Sequence, residues 1–214
     1  MGGVGASISL AAPRPGWQAL GHSWRIVFLA IIRCPSLLTR QFTTISMISS
    51  TIRALFQREL RALRREIEAY SDERQLWETP GGVANSAGNL ALHVCGNLQH
   101  FIGAQLGETG YVRNRDAEFA RRGVSRSEIL AEFDAASAAV DRGFDRISDA
   151  DLTMPFPEPI AKMTVPTGEW LIHLVAHLGY HVGQIDYHRR IVTGDAATLD
   201  VVSVRELPST RPPS

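Results

Sequence analysis

Between Ser50 and Tyr70 the apolar residues Ile52, Leu55, Phe56, Leu60, Leu63, Ile67 and Tyr70 recur every three or four positions, with arginines and glutamates between them. A helix turns about 100° per residue, so this spacing gathers the apolar side chains on one face that another surface must cover. The chain supplies further helices to do so. After the breaker Trp77-Glu78-Thr79-Pro80-Gly81-Gly82, a second helical segment runs from about Ser86 to Leu106. Gly107 to Gly123 reads as a polar loop. Ser125 with Glu128 forms a capping box that opens a third helix reaching about Ile147. Pro155, Pro157, Pro159 and Pro166 predict an extended connection. Thr167 is expected to cap a fourth helix from Gly168 to about Thr193, closed by Gly194. The fold expected is all-α, a four-helix bundle with long crossover connections spanning residues 47–194.

The stretch before Met47 differs in kind. It contains no acidic residue, since the first is Glu59, and it holds four of the 22 basic ones. Its apolar run, Ile26 to Ile32, is too short to span a bilayer, which takes about 18 residues. Residues 1–46 are expected to be a disordered or non-native extension; the alternative is a targeting segment, whose composition would be similar. Residues 195–214, rich in Pro and Ser, are expected to form an irregular, frayed tail. From Met47 on, 18 basic residues face 22 acidic ones, which argues against nucleic acid as a partner. Membrane association is not expected either. Cys34 and Cys95 have no metal-site or disulfide spacing, so a reducing, cytoplasmic setting is expected.

The histidines carry the functional information. His93 and His100 lie on the second helix; His173, His177, His181 and His188 lie on the fourth. With His173 set at zero, His177, His181, Gln184 and His188 fall at roughly 40°, 80°, 20° and 60°, one stripe under a quarter-turn wide. Asn89, His93, Asn97 and His100 cluster similarly on the second helix. Burying such groups without partners costs roughly 1–3 kcal/mol each, and a metal ion shared between the stripes would be a partner. Two histidines four apart on one helix and a third from another can bind one ion and leave positions open. Periodicity alone allows either His173 with His177 or His177 with His181. His188, among Tyr187, Arg189 and Arg190 near a helix end, is expected at a solvated or dipole-stabilised position. Cys95 points about 200° from His93 and is expected in the core.

The run His177-Leu-Gly-Tyr-His181-Val-Gly183-Gln184-Ile185 resembles the HxxxH(x)GQ signature in the last helix of the DinB/YfiT-like superfamily. Asn89-Leu-Ala-Leu-His93-Val-Cys-Gly96-Asn97-Leu98 resembles that superfamily's second-helix segment, and the likeness covers about Met47 to Gly194. The resemblance implies one divalent metal ion, zinc or nickel first with iron or manganese admitted, held by His93, His177 and His181. Asn89, Asn97, His100, His173 and Gln184 would then line the cavity or orient the ligands.

Members of that superfamily include thiol-dependent transferases and isomerases that use low-molecular-weight thiols. The expectation is therefore a metal-dependent thiol S-transferase or hydrolase acting on a small molecule. Against it stand a non-catalytic metal or small-ligand binder and a structural, dimerising bundle without metal. No general base is evident: Asp186 lies off the stripe, and Asp116 and Glu118 fall in the polar loop. His173 or His100 could shuttle protons.

Overall fold

The computed structural model describes residues 47–200, 202–207 and 209–213. The expectations for residues 1–46 lie outside it. Among the described residues there is no β-strand, and four long helices build the molecule: α1 (Met47–Glu68), α2 (Ala87–Leu98), α4 (Arg126–Phe144) and α5 (Thr167–Thr193). A short α3 (Arg115–Ala120) sits between α2 and α4. The chain is thus all-α, with the four-helix bundle read from its sequence. None of these helices is long and apolar enough to cross a membrane.

The apolar stripe of α1 is what the bundle is built on. Ile52, Phe56, Leu60, Leu63, Ile67 and Tyr70 are all buried, each worth about 1.5–3 kcal/mol of transfer free energy when fully covered. They meet Ile129, Phe133 and Val140 of α4 and Leu171, Leu174, Leu178 and Ile185 of α5 in one core. α1 and α2 each pack on both α4 and α5, so α1 and α2 take opposite corners. The first turn of α1 has no acidic residue of its own. Asp149, about a hundred residues on, serves it by accepting from the backbone N–H groups of Ile48 (3.2 Å) and Ser49 (2.9 Å).

α2 is the interior element: all twelve of its residues are buried. Its N-cap is Ser86, and beyond Leu98 the helix continues over Gln99–Ala104 in the wider π geometry, a form often found at functional sites. The third helix opens as expected, with Ser125 accepting from Glu128 N–H and Glu128 accepting from Ser125 N–H.

Three expectations need correction. Gly107 to Gly123 is not simply a loop, because Asn114 caps α3 within it through Ala117 N–H. Thr167 does not cap α5 but is its first residue; its hydroxyl donates to Met154 O (2.9 Å), and Pro166 holds the N-cap position. The connection before α5 folds back on itself through isolated antiparallel bridges, Pro155 to Pro166 and Ile160 to Met163, so it is a narrow excursion rather than an extended strap. Gly194 ends α5 in the left-handed region at φ 72°, as a C-terminal glycine does. The tail after it is irregular but not loose, since Glu206 pairs with Arg61 (3.1 Å) and Arg65 (3.0 Å) of α1.

Candidate metal centre

α2 and α5 run antiparallel. His93 faces His177 and His181, with ring centroids 5.3 and 5.2 Å away, while Phe101, two turns further along α2, meets Trp170, two turns back on α5, at 5.0 Å. Three imidazoles from two helices therefore converge. Each offers one nitrogen, and the three atoms lie within 4.8 Å of one another, so the group could hold a metal ion.

Hydrogen bonds decide which nitrogen each ring presents. His93 Nδ1 lies 2.9 Å from a carboxylate oxygen of Glu118, which can only accept, and 3.3 Å from Arg113 Nη2; the shorter contact makes Nδ1 the donor to Glu118 and leaves Nε2 for another partner. His181 Nδ1 lies 2.7 Å from Gln184 Oε1, with the same result. His181 Nε2 then points at His177 Nε2, 3.0 Å away. Two lone pairs at that distance repel unless a proton or a cation lies between them. Nitrogens about 2.1 Å from one ion, at right angles across it, are also about 3 Å apart. The donor set fits a divalent ion with further positions open.

Two of the three rings are also held neutral at physiological pH. Burial, reinforced by His181, His93, His173 and Arg113 nearby, pushes His177 down to about 4. Burial lowers His181 as well, against the opposing hydrogen bond of Gln184. At His177 and His181 a cation thus meets lone pairs and not imidazolium groups.

Glu118 is the functional residue that the sequence left in a loop. It is buried, and Arg113 holds it with two bonds, Nε at 2.7 Å and Nη2 at 2.9 Å. Burial works against its charge, but Arg113 and His93 outweigh this and keep its carboxyl below the usual carboxylate range. α2 builds the seat for it. The Asn89 amide donates to the carbonyls of Glu118 (2.9 Å) and Arg121 (3.0 Å), tying down the end of α3. Gly96 leaves the space: a Cβ there would stand 2.2 Å from Glu118 Oε1. Asn114 followed by Asp116 and Glu118 is a readable helix start. Nothing local says that this helix turns its glutamate toward His93.

The other residues singled out from the sequence divide. Gln184 orients His181 and also borders a cavity of about 340 Å³ with Val83, Leu90, Tyr187 and Ile191. His173 is exposed and stacks between Trp170 (4.9 Å) and His177 (6.4 Å). His100 turns to the crossover, where its Nε2 meets Glu158 at 2.9 Å. Asn89 serves α3, and Asn97 is buried with its amide oxygen lacking a protein partner. Cys95 is fully buried, and burial pushes its thiol well above the usual range, so it is core and no nucleophile. His188 is a correction: it is 3% exposed and not solvated, because Tyr70 and the Glu78 carbonyl enclose both of its nitrogens.

Residues 55–185 match the family model of the DinB superfamily, which is more than half of the chain. No curated protein and no solved structure matches the chain. With the bundle and the placement of its histidines, that match makes the chain a member of the DinB superfamily.

Proposed function

We propose that His93, His177 and His181 bind one divalent metal ion through their Nε2 atoms, and that the protein is a metal-dependent thiol S-transferase or hydrolase. The observation that carries this reading is the pair of acceptors set against the Nδ1 atoms of His93 and His181. Glu118 and Gln184 engage the Nδ1 atoms of His93 and His181, which leaves Nε2 of each ring for the ion, that of His181 facing His177 Nε2. Imidazole donors suit zinc and nickel, with iron or manganese admitted. When bound, the ion would act as a Lewis acid that lowers the pKa of a thiol or water joining it. Everything else falls to the chain's own groups. Glu118, clamped by Arg113, orients His93 and stabilises positive charge at the centre. Gln184 does the same for His181 without adding charge. The exposed His173 lies over the His177 ring, between the centre and solvent.

The reading takes a low-molecular-weight thiol and a small electrophile as reactants, in a cytoplasmic, reducing setting that keeps the thiol available. The neutral lining of the 340 Å³ cavity beside Gln184 suits the uncharged part of such a molecule. The test begins with elemental analysis of protein purified without a nickel column, then a screen of thiol–electrophile conjugation. Metal retained by a variant lacking all three imidazoles would sink the assignment of the centre. Metal without turnover across the screen would leave a binding protein.

A further inference from the structure

α5 has a second face, about a quarter-turn from the histidine stripe. Ile172 (59% exposed), Ala176, Gly179, Tyr180 (64%), Gly183, Tyr187 (68%) and Ile191 lie along it. From Trp170 to Ile185 this helix carries no Asp, Glu, Lys or Arg, so the face is uncharged over about four turns. The outer surfaces of α1 and α4 are different, being set with Arg58, Arg61, Glu68, Glu128, Asp134 and Asp141. Charge returns to the α5 face only at its two ends, as Glu169 and Arg190. An uncovered apolar surface of this kind on a soluble bundle marks an interaction site.

We propose that this face pairs two copies of the chain, α5 against α5, antiparallel about a two-fold axis between Gly179 and Tyr180. The register follows from the residues. With the axis there, Glu169 of one copy meets Arg190 of the other, and Ile172 meets Tyr187. Ala176 meets Gly183. Opposite charges stand at equal distances from the centre, about 16 Å each way along the helix, as a self-complementary surface requires. Ala176, Gly179 and Gly183 fall in the middle, where the backbones must approach; Tyr180 stands beside the axis against Gly179 of the other copy, and Ile172 and Tyr187 fall outside them. A Cβ on Gly179 or Gly183 would meet nothing within 4 Å, so both positions are open to an incoming helix. Arg190 gives its Nε to Asp186 (2.9 Å) and lies over the Tyr187 ring, yet its side chain stays 30% exposed and within reach of a partner carboxylate. The pairing also sets Ile172 of one copy against Tyr187 of the other, at the rim of the 340 Å³ cavity. It does not rest on the metal reading, so chelator-treated protein should pair equally well.

Sedimentation equilibrium of the full chain tests it. The expected result is twice the mass of one chain at micromolar concentration, and a single mass for Gly183→Arg with helicity unchanged. Ile172→Asp is the second variant if the first fails to fold. Register is read by cysteine cross-linking. Ala176→Cys and Gly183→Cys chains, mixed under mild oxidation, should form a linked dimer that neither forms alone, because like positions stand about 10 Å apart along the helix. A monomeric wild type overturns the proposal, as does a dimer indifferent to both substitutions. Equal cross-linking of each cysteine variant alone overturns the register. A monomeric full chain beside a dimeric chain starting at Met47 would make residues 1–46 the occupant of the face instead.

Discussion

α5 carries two buried polar clusters about two turns apart, and they are built on opposite terms. At the second, every polar group of His188 has a protein partner: Nε2 donates to Glu78 O (2.8 Å), which leaves Nδ1 to accept from the Tyr70 hydroxyl (2.7 Å). Beside it Arg189, fully buried, meets Glu66 at 2.6 Å and Asp186 at 3.2 Å, and donates to the carbonyl of Ala197 (2.8 Å). At the first cluster, by contrast, the outer nitrogens of His93 and His181 are bonded while the inner ones converge without carboxylate or carbonyl between them. Both clusters are histidine-bearing and mostly buried. What separates the histidines of the two clusters is whether the protein itself satisfies the ring's last lone pair. Tyr70 and Glu78 satisfy His188. Nothing fixed satisfies His181 Nε2 but another imidazole.

That contrast can be broken at several points, and the largest effect belongs to the open cluster. His177→Ala should remove most of the bound metal while the metal-free protein keeps its helicity; elemental analysis and circular dichroism read the two outcomes. If occupancy is unchanged, the cluster is a second structural layer.

Arg189→Ala should do the reverse. It leaves Glu66 buried without its counter-charge and Asp186 with Arg190 alone, and should cost about 3–5 kcal/mol in urea unfolding, with metal stoichiometry of the folded protein unaltered. Gly96→Ala falls between the two. Its methyl group enters the space of the Glu118 carboxylate, so the carboxylate should move off His93. Metal affinity should fall about 10–100-fold, and stability by about 1–3 kcal/mol. Affinity unchanged in a calorimetric titration would show that Glu118 does not orient the ligand.

His188 gives a smaller, pH-dependent effect. Burial lowers it below its ordinary value of 6.5, against the Glu78 carbonyl. A histidine whose folded pKa is depressed stabilises the fold above the unfolded value, and that stability is lost as pH falls from about 6.5 toward the folded pKa. Comparing unfolding free energies at pH 7.5 and 5.5, His188→Gln should lose about 1 kcal/mol less than the wild type over that interval. Parallel losses would place the titration elsewhere. Ser125→Ala, remote from both clusters, serves as the baseline: loss of the α4 N-cap should cost about 1 kcal/mol and leave metal binding alone.

Much of this architecture was legible in the sequence because it rests on neighbours within four residues. The apolar face of α1, the Ser125–Glu128 box, the glycine stop at Gly194 and the stripe that puts His177 beside His181 are all local, and backbone geometry converts their spacing directly into position. What spacing could not decide was partnership. Whether His173 or His181 joins His177 opposite His93 depends on the axial register of α5 against α2, which the packing of whole helices sets. Glu118 reaches His93 across 25 residues of chain because the Asn89 amide and the gap at Gly96 receive α3. His188 looked solvated among Tyr187, Arg189 and Arg190, yet Tyr70, 118 residues away, closes over it. A side chain's periodicity states which way it points, and only the tertiary structure supplies what stands there to meet it.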